Sequence, residues 1–144
     1  MATVACFDTS VLVKRYVEEA GSRAARDLLR RFRPVCSTIV QVEVASAISR
    51  RGRAGEISEK AARATLNRLG DDRARWELID VEGPVLARAE QLVREVRVAT
   101  LDAIHIASAL VFIGSLRRNV PFVTADANQR AAAERANLEV VWVE

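Results

Sequence analysis

The chain has one histidine, two cysteines and two lysines in 144 residues. Each shortage removes a class of function. A lone histidine, with no CxxC and no Cys/His cluster, leaves no ligand set for a zinc site. Two cysteines cannot staple a small secreted scaffold, and Cys6 and Cys36 both fall in apolar runs, so they are expected as buried free thiols of a reducing compartment. No run approaches the ~18 apolar residues of a membrane helix. The start, Met1-Ala2-Thr3-Val4, lacks the basic and long apolar regions of a signal peptide, so a cytoplasmic protein without a membrane span is expected. There is no internal repeat, low-complexity tract or Pro/Gly-rich linker.

What remains is a globular composition. Half of the residues are hydrophobic and 28% are charged, enough for one sizeable core and too apolar for disorder. The net charge of +3 is a mild excess that permits a nucleic-acid partner without demanding one. All but Lys14 and Lys60 of the 22 basic residues are arginine, which grips phosphate in a bidentate way, although a codon bias toward arginine would leave the same trace.

Short apolar runs alternate with helical periodicity. Strands are expected at Thr3–Phe7, Val35–Thr38, Trp76–Val81, Val120–Thr124 and Leu138–Val143. Helices are expected at Val11–Glu18, Ser22–Arg31, Ile39–Arg50, Ser58–Leu69, Val85–Val96, Leu101–Ile113 and Ala127–Arg135. Thr9 or Ser10, Thr38, Ser58 and Thr100 are the expected helix caps. Pro34 is expected to stop the second helix, and Pro121 to mark an edge strand or a strand start. The alternation implies an α/β fold with a mainly parallel sheet.

Ligands of such sheets bind at the carboxyl ends of the strands. Four acids fall at strand-to-helix junctions or early in helices: Asp8, Glu43, Asp102 and Asp126. Each alone has a structural explanation. Asp8 and Asp126 could cap helices, Asp102 could answer the dipole of the helix it opens, and Glu43 could pair with an arginine at the core rim. Together they repel unless a cation neutralises them. An oxygen-only ligand set selects Mg²⁺ or Mn²⁺, and such ions serve phosphodiester cleavage. Thr9 and Thr124 are hydroxyls placed to position a water. His105, three residues after Asp102, shares its helix face and is expected to be a core histidine bonded to a backbone carbonyl; a role beside the metal or phosphate is the alternative.

Val4-Ala5-Cys6-Phe7-Asp8-Thr9-Ser10 resembles the opening of a PIN domain. Val42-Glu43-Val44-Ala45-Ser46-Ala47 resembles the segment of its second acid. Leu101-Asp102-Ala103-Ile104-His105-Ile106-Ala107 resembles its central motif, and Val123-Thr124-Ala125-Asp126 its last acidic motif. The likeness spans residues 1–144 as a single domain and is closest to the toxin half of VapBC toxin–antitoxin modules. It implies a three-layer α/β/α sandwich and a Mg²⁺- or Mn²⁺-dependent endoribonuclease, with Asp8, Glu43, Asp102 and Asp126 as the metal site. It also implies an RNA substrate, a homodimer and a small antitoxin partner. The chain departs from the pattern after Asp126, where Ala127-Asn128-Gln129 stand in place of a basic residue followed soon by an apolar one.

Two other functions fit less of the chain. Phosphate transfer through a covalent aspartate needs a second acid near the first and a late lysine, yet Asp8 precedes Thr9 and Ser10 and no lysine follows Lys60. A non-catalytic PIN-like module for RNA or protein binding is the main alternative, but it gives no reason to keep four repelling charges.

Overall fold

The computed structural model describes residues 3–144, so Met1 and Ala2 of the expected N-terminal entry lie outside the described residues. Five strands, β1 (Val4–Phe7), β2 (Arg33–Ser37), β3 (Glu77–Ile79), β4 (Phe122–Thr124) and β5 (Val140–Trp142), form one sheet in the order β3-β2-β1-β4-β5. Every pairing is parallel. Between them run α1 (Thr9–Tyr16), α2 (Ser22–Arg31), α3 (Val40–Arg53), α4 (Glu59–Arg73), α5 (Gly83–Val96), α6 (Thr100–Leu116) and α7 (Ala127–Arg135).

Strand alternation divides the apolar residues into two cores. Ala5, Phe7, Cys36 and Val123 face one side, where Val11 and Leu12 of α1, Ala25 of α2, Val44 and Ile48 of α3 and Leu69 of α4 cover them. Cys6, Val35 and Phe122 face the other, beneath Leu92 of α5, Ile106 of α6 and Ala132 of α7. The result is three layers, α1–α4, sheet, and α5–α7. Each Val, Leu or Phe so buried contributes about 1.5–3 kcal/mol. Cys6 and Cys36 are both buried and free, and desolvation pushes each thiol up to about 12.

Helix α6 is apolar almost all round, the mark of a helix buried on most of its surface. It packs on α5, β2 and α7. Because it leads into a parallel strand, it runs back against the sheet direction, and its first turn lies at the carboxyl edge of the strands. No helix among the described residues is long and apolar enough to cross a membrane.

Several local expectations shift. Pro34 does not end α2, which stops at Arg31; it lies inside β2. Its missing N–H is harmless because Arg33 already donates to Thr3, just before β1, and pairing with β3 begins only at Val35. Pro121 stands just before β4, and β4 is an interior strand, so the strand-start reading holds and the edge reading does not. Gly52 lies within α3, and the break falls at Gly55, in the left-handed region at φ 75°. Ser58 caps α4 by accepting the Ala61 N–H at 3.0 Å. Thr9, Ser10, Thr38 and Thr100 make no such cap. Trp76 is a core residue, whereas Trp142 is half-buried with Arg130 stacked over it at 5.0 Å.

One polar node ties α1 to α4. Asp72 is buried and accepts from Arg15 Nε at 2.8 Å, Tyr16 Oη at 2.7 Å and Arg75 Nη2 at 3.0 Å. Burial pushes its carboxyl up, but the Arg15 and Tyr16 hydrogen bonds and the Arg15 charge outweigh that and hold it below its ordinary 3.8. A carboxyl lowered on folding adds stability above its ordinary value, and that stability is lost as pH falls through the folded one. Asp72→Ala should therefore cost about 3 kcal/mol at pH 7 by urea denaturation. The gap between variant and wild type should narrow below pH 3.8. Equal stability at pH 7 would show that the node is not structural.

Candidate metal centre at the carboxyl edge

The strand order reverses direction between β1 and β4, because the chain first builds outward through β2 and β3 and then returns to the far side of β1. That reversal opens a crevice at the carboxyl ends, where α/β proteins bind ligands. Asp8 immediately follows β1 and Asp126 lies two residues past β4, so the two acids flank the crevice. Glu43 reaches it from the first turn of α3, and Asp102 from the first turn of α6.

Asp8 is almost wholly buried, at 3% exposure. Ser10 Oγ donates to its Oδ1 at 2.5 Å and Thr124 Oγ1 to its Oδ2 at 2.6 Å. The same hydroxyls accept backbone N–H groups, Ser10 from Ala125 at 2.9 Å and Thr124 from Asp126 at 3.1 Å. These bonds sew β1 and α1 to the β4–α7 turn. Desolvation raises the Asp8 carboxyl above its ordinary 3.8, and the two hydroxyls and the nearby His105 pull it partly back.

Glu43 Oε1 accepts from Thr9 Oγ1 at 2.7 Å and pairs with His105 Nε2 at 2.6 Å. Burial pushes this carboxyl up, yet the His105 and Thr9 hydrogen bonds outweigh it and bring Glu43 below its ordinary 4.5. An ionised carboxylate can only accept, so the His105 proton sits on Nε2. His105 Nδ1 is buried with no partner among the described residues. His105 is a core histidine, as expected, but its bond is to a carboxylate and not to a backbone carbonyl. Glu43 likewise pairs with His105 and Thr9 rather than with an arginine.

Asp126 caps α7, accepting the Gln129 N–H at 3.0 Å. Asp102 is raised above its ordinary 3.8, first by burial and then by the charge of Asp126, with Glu43 adding to it. The structure thus brings the four acids toward one edge, two of them held by side-chain donors, Asp8 by Ser10 and Thr124, and Glu43 by Thr9 and His105, while Asp126 caps α7. Among the described residues no three His, Cys, Asp or Glu side chains converge tightly enough to enclose an ion.

Two residues went unforeseen, Ser10 among the hydrogen bonds of the site and Gln129 as a buried polar side chain of α7. Ser10 was expected only as a cap, and its bridging bonds join residues more than a hundred positions apart. Gln129, at the departure from the family pattern, is 1% exposed with both amide atoms unpartnered. Its composition-breaking place in an apolar position was the available signal. A cavity of about 510 Å³ lies elsewhere, at the amino ends of β2 and β3 beside Arg33 and Trp76. Its single acid, Asp72, is already saturated by donors.

A family model described as PIN domain matches residues 5–135. The chain belongs to the PIN domain family. Its fold is similar to that of a toxin–antitoxin complex from Klebsiella pneumoniae, at TM-score 0.69 and 19% identity over 95% of both chains. It is also similar to VapBC2 from Rickettsia felis bound to a promoter DNA fragment, at 0.68 and 17% over 99% of this chain and 100% of that one. VapBC-5 from Mycobacterium tuberculosis aligns at 0.59 and 18% over 98% and 99%. No curated protein matches the chain in sequence. At these identities the neighbours establish the PIN fold.

The electrostatics of the edge have a measurable cost. A carboxyl raised on folding destabilises the protein while it is ionised, and the penalty disappears as pH falls below its ordinary value. Asp102→Asn should therefore stabilise the metal-free protein at pH 7, by about 1 kcal/mol. The gain in melting temperature should vanish below pH 3.8. A variant less stable than wild type at pH 7 would show that Asp102 is a structural cap.

Proposed function

We propose that this PIN domain is a metal-dependent endoribonuclease, the toxin of a toxin–antitoxin pair. The observation that carries the reading is the approach of Asp8, Glu43, Asp102 and Asp126 to the switch point of the sheet, where burial first, and then the charge of Asp126, raises the Asp102 carboxyl. Such a site is at a deficit of positive charge. Its donors are all oxygens, which suits Mg²⁺ or Mn²⁺. Mg²⁺ keeps several waters and takes only one or two carboxylates before sharing substrate phosphate.

In this reading Asp8 and Asp102 are the principal ligands, Asp126 completes the site, and Glu43 serves as a ligand or as the base that orients the attacking water. Bound Mg²⁺ or Mn²⁺ would supply Lewis acidity, lowering the pKa of the attacking water and neutralising the phosphate. The residues of the chain hold the geometry. Ser10 and Thr124 fix both oxygens of Asp8, and Thr9 and His105 keep Glu43 ionised and aimed. Water attack on phosphorus then displaces the leaving sugar oxygen.

The partners follow the same support. The similar structures are toxin–antitoxin assemblies, one of them on promoter DNA, which favours a small antitoxin as the partner of this chain. Exposed Leu86 and Val93 on α5 and Leu101 on α6 leave apolar surface suited to a second copy in a homodimer.

The test is cleavage of total cellular RNA by the partner-free protein. Mg²⁺ or Mn²⁺ should support discrete cleavage, excess chelator should abolish it, and Asp8→Asn should reduce it by more than about 100-fold with the fold intact. Undiminished cleavage by Asp8→Asn would overturn the assignment. No cleavage together with no Mn²⁺ binding by calorimetry would favour a non-catalytic PIN module.

A further inference from the structure

A groove of about 210 Å³ runs from Asp102 along α7, lined by Arg97, Val98, Ala99, Asp102, Asn128, Ala131, Ala132 and Arg135. Asn128, Ala131 and Arg135 lie at helical spacing, so one face of α7 forms its wall. Its floor is small, with Ala99, Ala131 and Ala132 offering no side chain to fill it. Its lining carries both signs of charge. Asp102 belongs to the acidic edge, and Arg97 and Arg135 add two guanidiniums to the same lining.

Neither Arg97 nor Arg135 makes an ion pair among the described residues. That separates this groove from the larger arginine-lined cavity, where Arg15 and Arg75 are bound to Asp72, Arg30 to Asp27 and Arg33 to Glu77. Arg97 also sits in the left-handed region at φ 57°, at the end of α5. A glycine would hold that turn without the roughly 1 kcal/mol such a backbone costs a residue with a Cβ.

We infer that Arg97 and Arg135 bind a phosphodiester of the RNA strand next to the one cleaved. This rests on the nuclease reading above. A polynucleotide entering a site of four carboxylates meets repulsion along its whole backbone, and a metal ion offsets that only at the scissile phosphate. Guanidiniums that line the same groove as Asp102 offset it at the neighbouring phosphate. They do so with bidentate hydrogen bonds that also set the direction of the strand. Asn128, in the first turn of α7, adds an amide to the same groove.

The test compares two double variants of the full chain. Arg97→Asn with Arg135→Gln empties the groove of charge, and asparagine tolerates the left-handed backbone of position 97. Arg23→Gln with Arg53→Gln makes the same change in net charge on exposed residues of α2 and α3, across the sheet. Unchanged melting temperatures establish that both fold. Binding of a single-stranded RNA oligonucleotide is followed by fluorescence anisotropy in the Asp8→Asn background, and cleavage in the otherwise native chain.

The groove double variant should bind about tenfold or more weakly, and the slope of log affinity against log salt should fall by about 0.7 for each phosphate it no longer neutralises. Its KM should rise by a similar factor while kcat stays within about threefold, the pattern of weakened substrate binding. Arg135→Lys should recover part of the affinity because it keeps the charge and loses the fork. RNA cleavage and binding equally affected in both double variants, or in neither, would overturn the groove and leave the nuclease standing. A parent chain that neither binds nor cleaves RNA would overturn the nuclease reading and the groove with it.

Discussion

Like-charge repulsion at the carboxyl edge is the constraint around which this fold is arranged. A parallel sheet whose strand order reverses at β1 and β4 brings the residues after those two strands side by side. Here those residues are acidic, and α3 and α6 deliver two more acids to the same place. Much of the polar structure nearby compensates for this. Ser10 and Thr124 direct their hydroxyl donors at Asp8 while accepting backbone N–H groups of the next turn, so one set of bonds holds both the charge and the chain. Removing water from a carboxylate is tolerable only where such donors replace it.

His105 plays the corresponding part for Glu43. It sits on α6, a helix whose burial is driven by Ala103, Ile106, Ala107 and Ala109, and it carries a polar ring into that apolar layer. The ring is aimed at a carboxylate on the opposite side of the sheet edge. The pairing keeps Glu43 ionised, while Asp102, on the same helix face three residues earlier, is left without a donor and feels the charges of Asp126 and Glu43. One helix therefore supplies both a relieved acid and an unrelieved one. The unrelieved acid marks where positive charge is still wanted, and the free guanidiniums of Arg97 and Arg135 lie along the groove that starts there.

The elements were readable from the sequence wherever a residue's fate depended on near neighbours. Continuous apolar runs such as Val4–Phe7 identify strands buried on both faces, and Ser58 caps α4 as its local sequence implies. Reading failed where the partner was distant. Thr9 and Ser10 look like local caps, yet Thr9 bonds Glu43 and Ser10 accepts the Ala125 N–H across the fold. Pro121 looks like an edge residue because sequence does not reveal strand order. Gln129 is the sharpest case, a polar amide buried at a position where helical spacing calls for an apolar side chain.

What the sequence determined by itself was the α/β alternation, the two apolar faces of each strand and the position of four acids near element ends. Those follow from periodicity and chain order, which are local properties. Tertiary structure alone decided that the sheet reverses between β1 and β4, that His105 meets Glu43 across 62 residues, and that Asp102 feels the charge of Asp126. The physical reason is that hydrogen bonds and charge repulsion act through a few ångströms of space, and only packing of the two cores around the sheet brings those residues within that range.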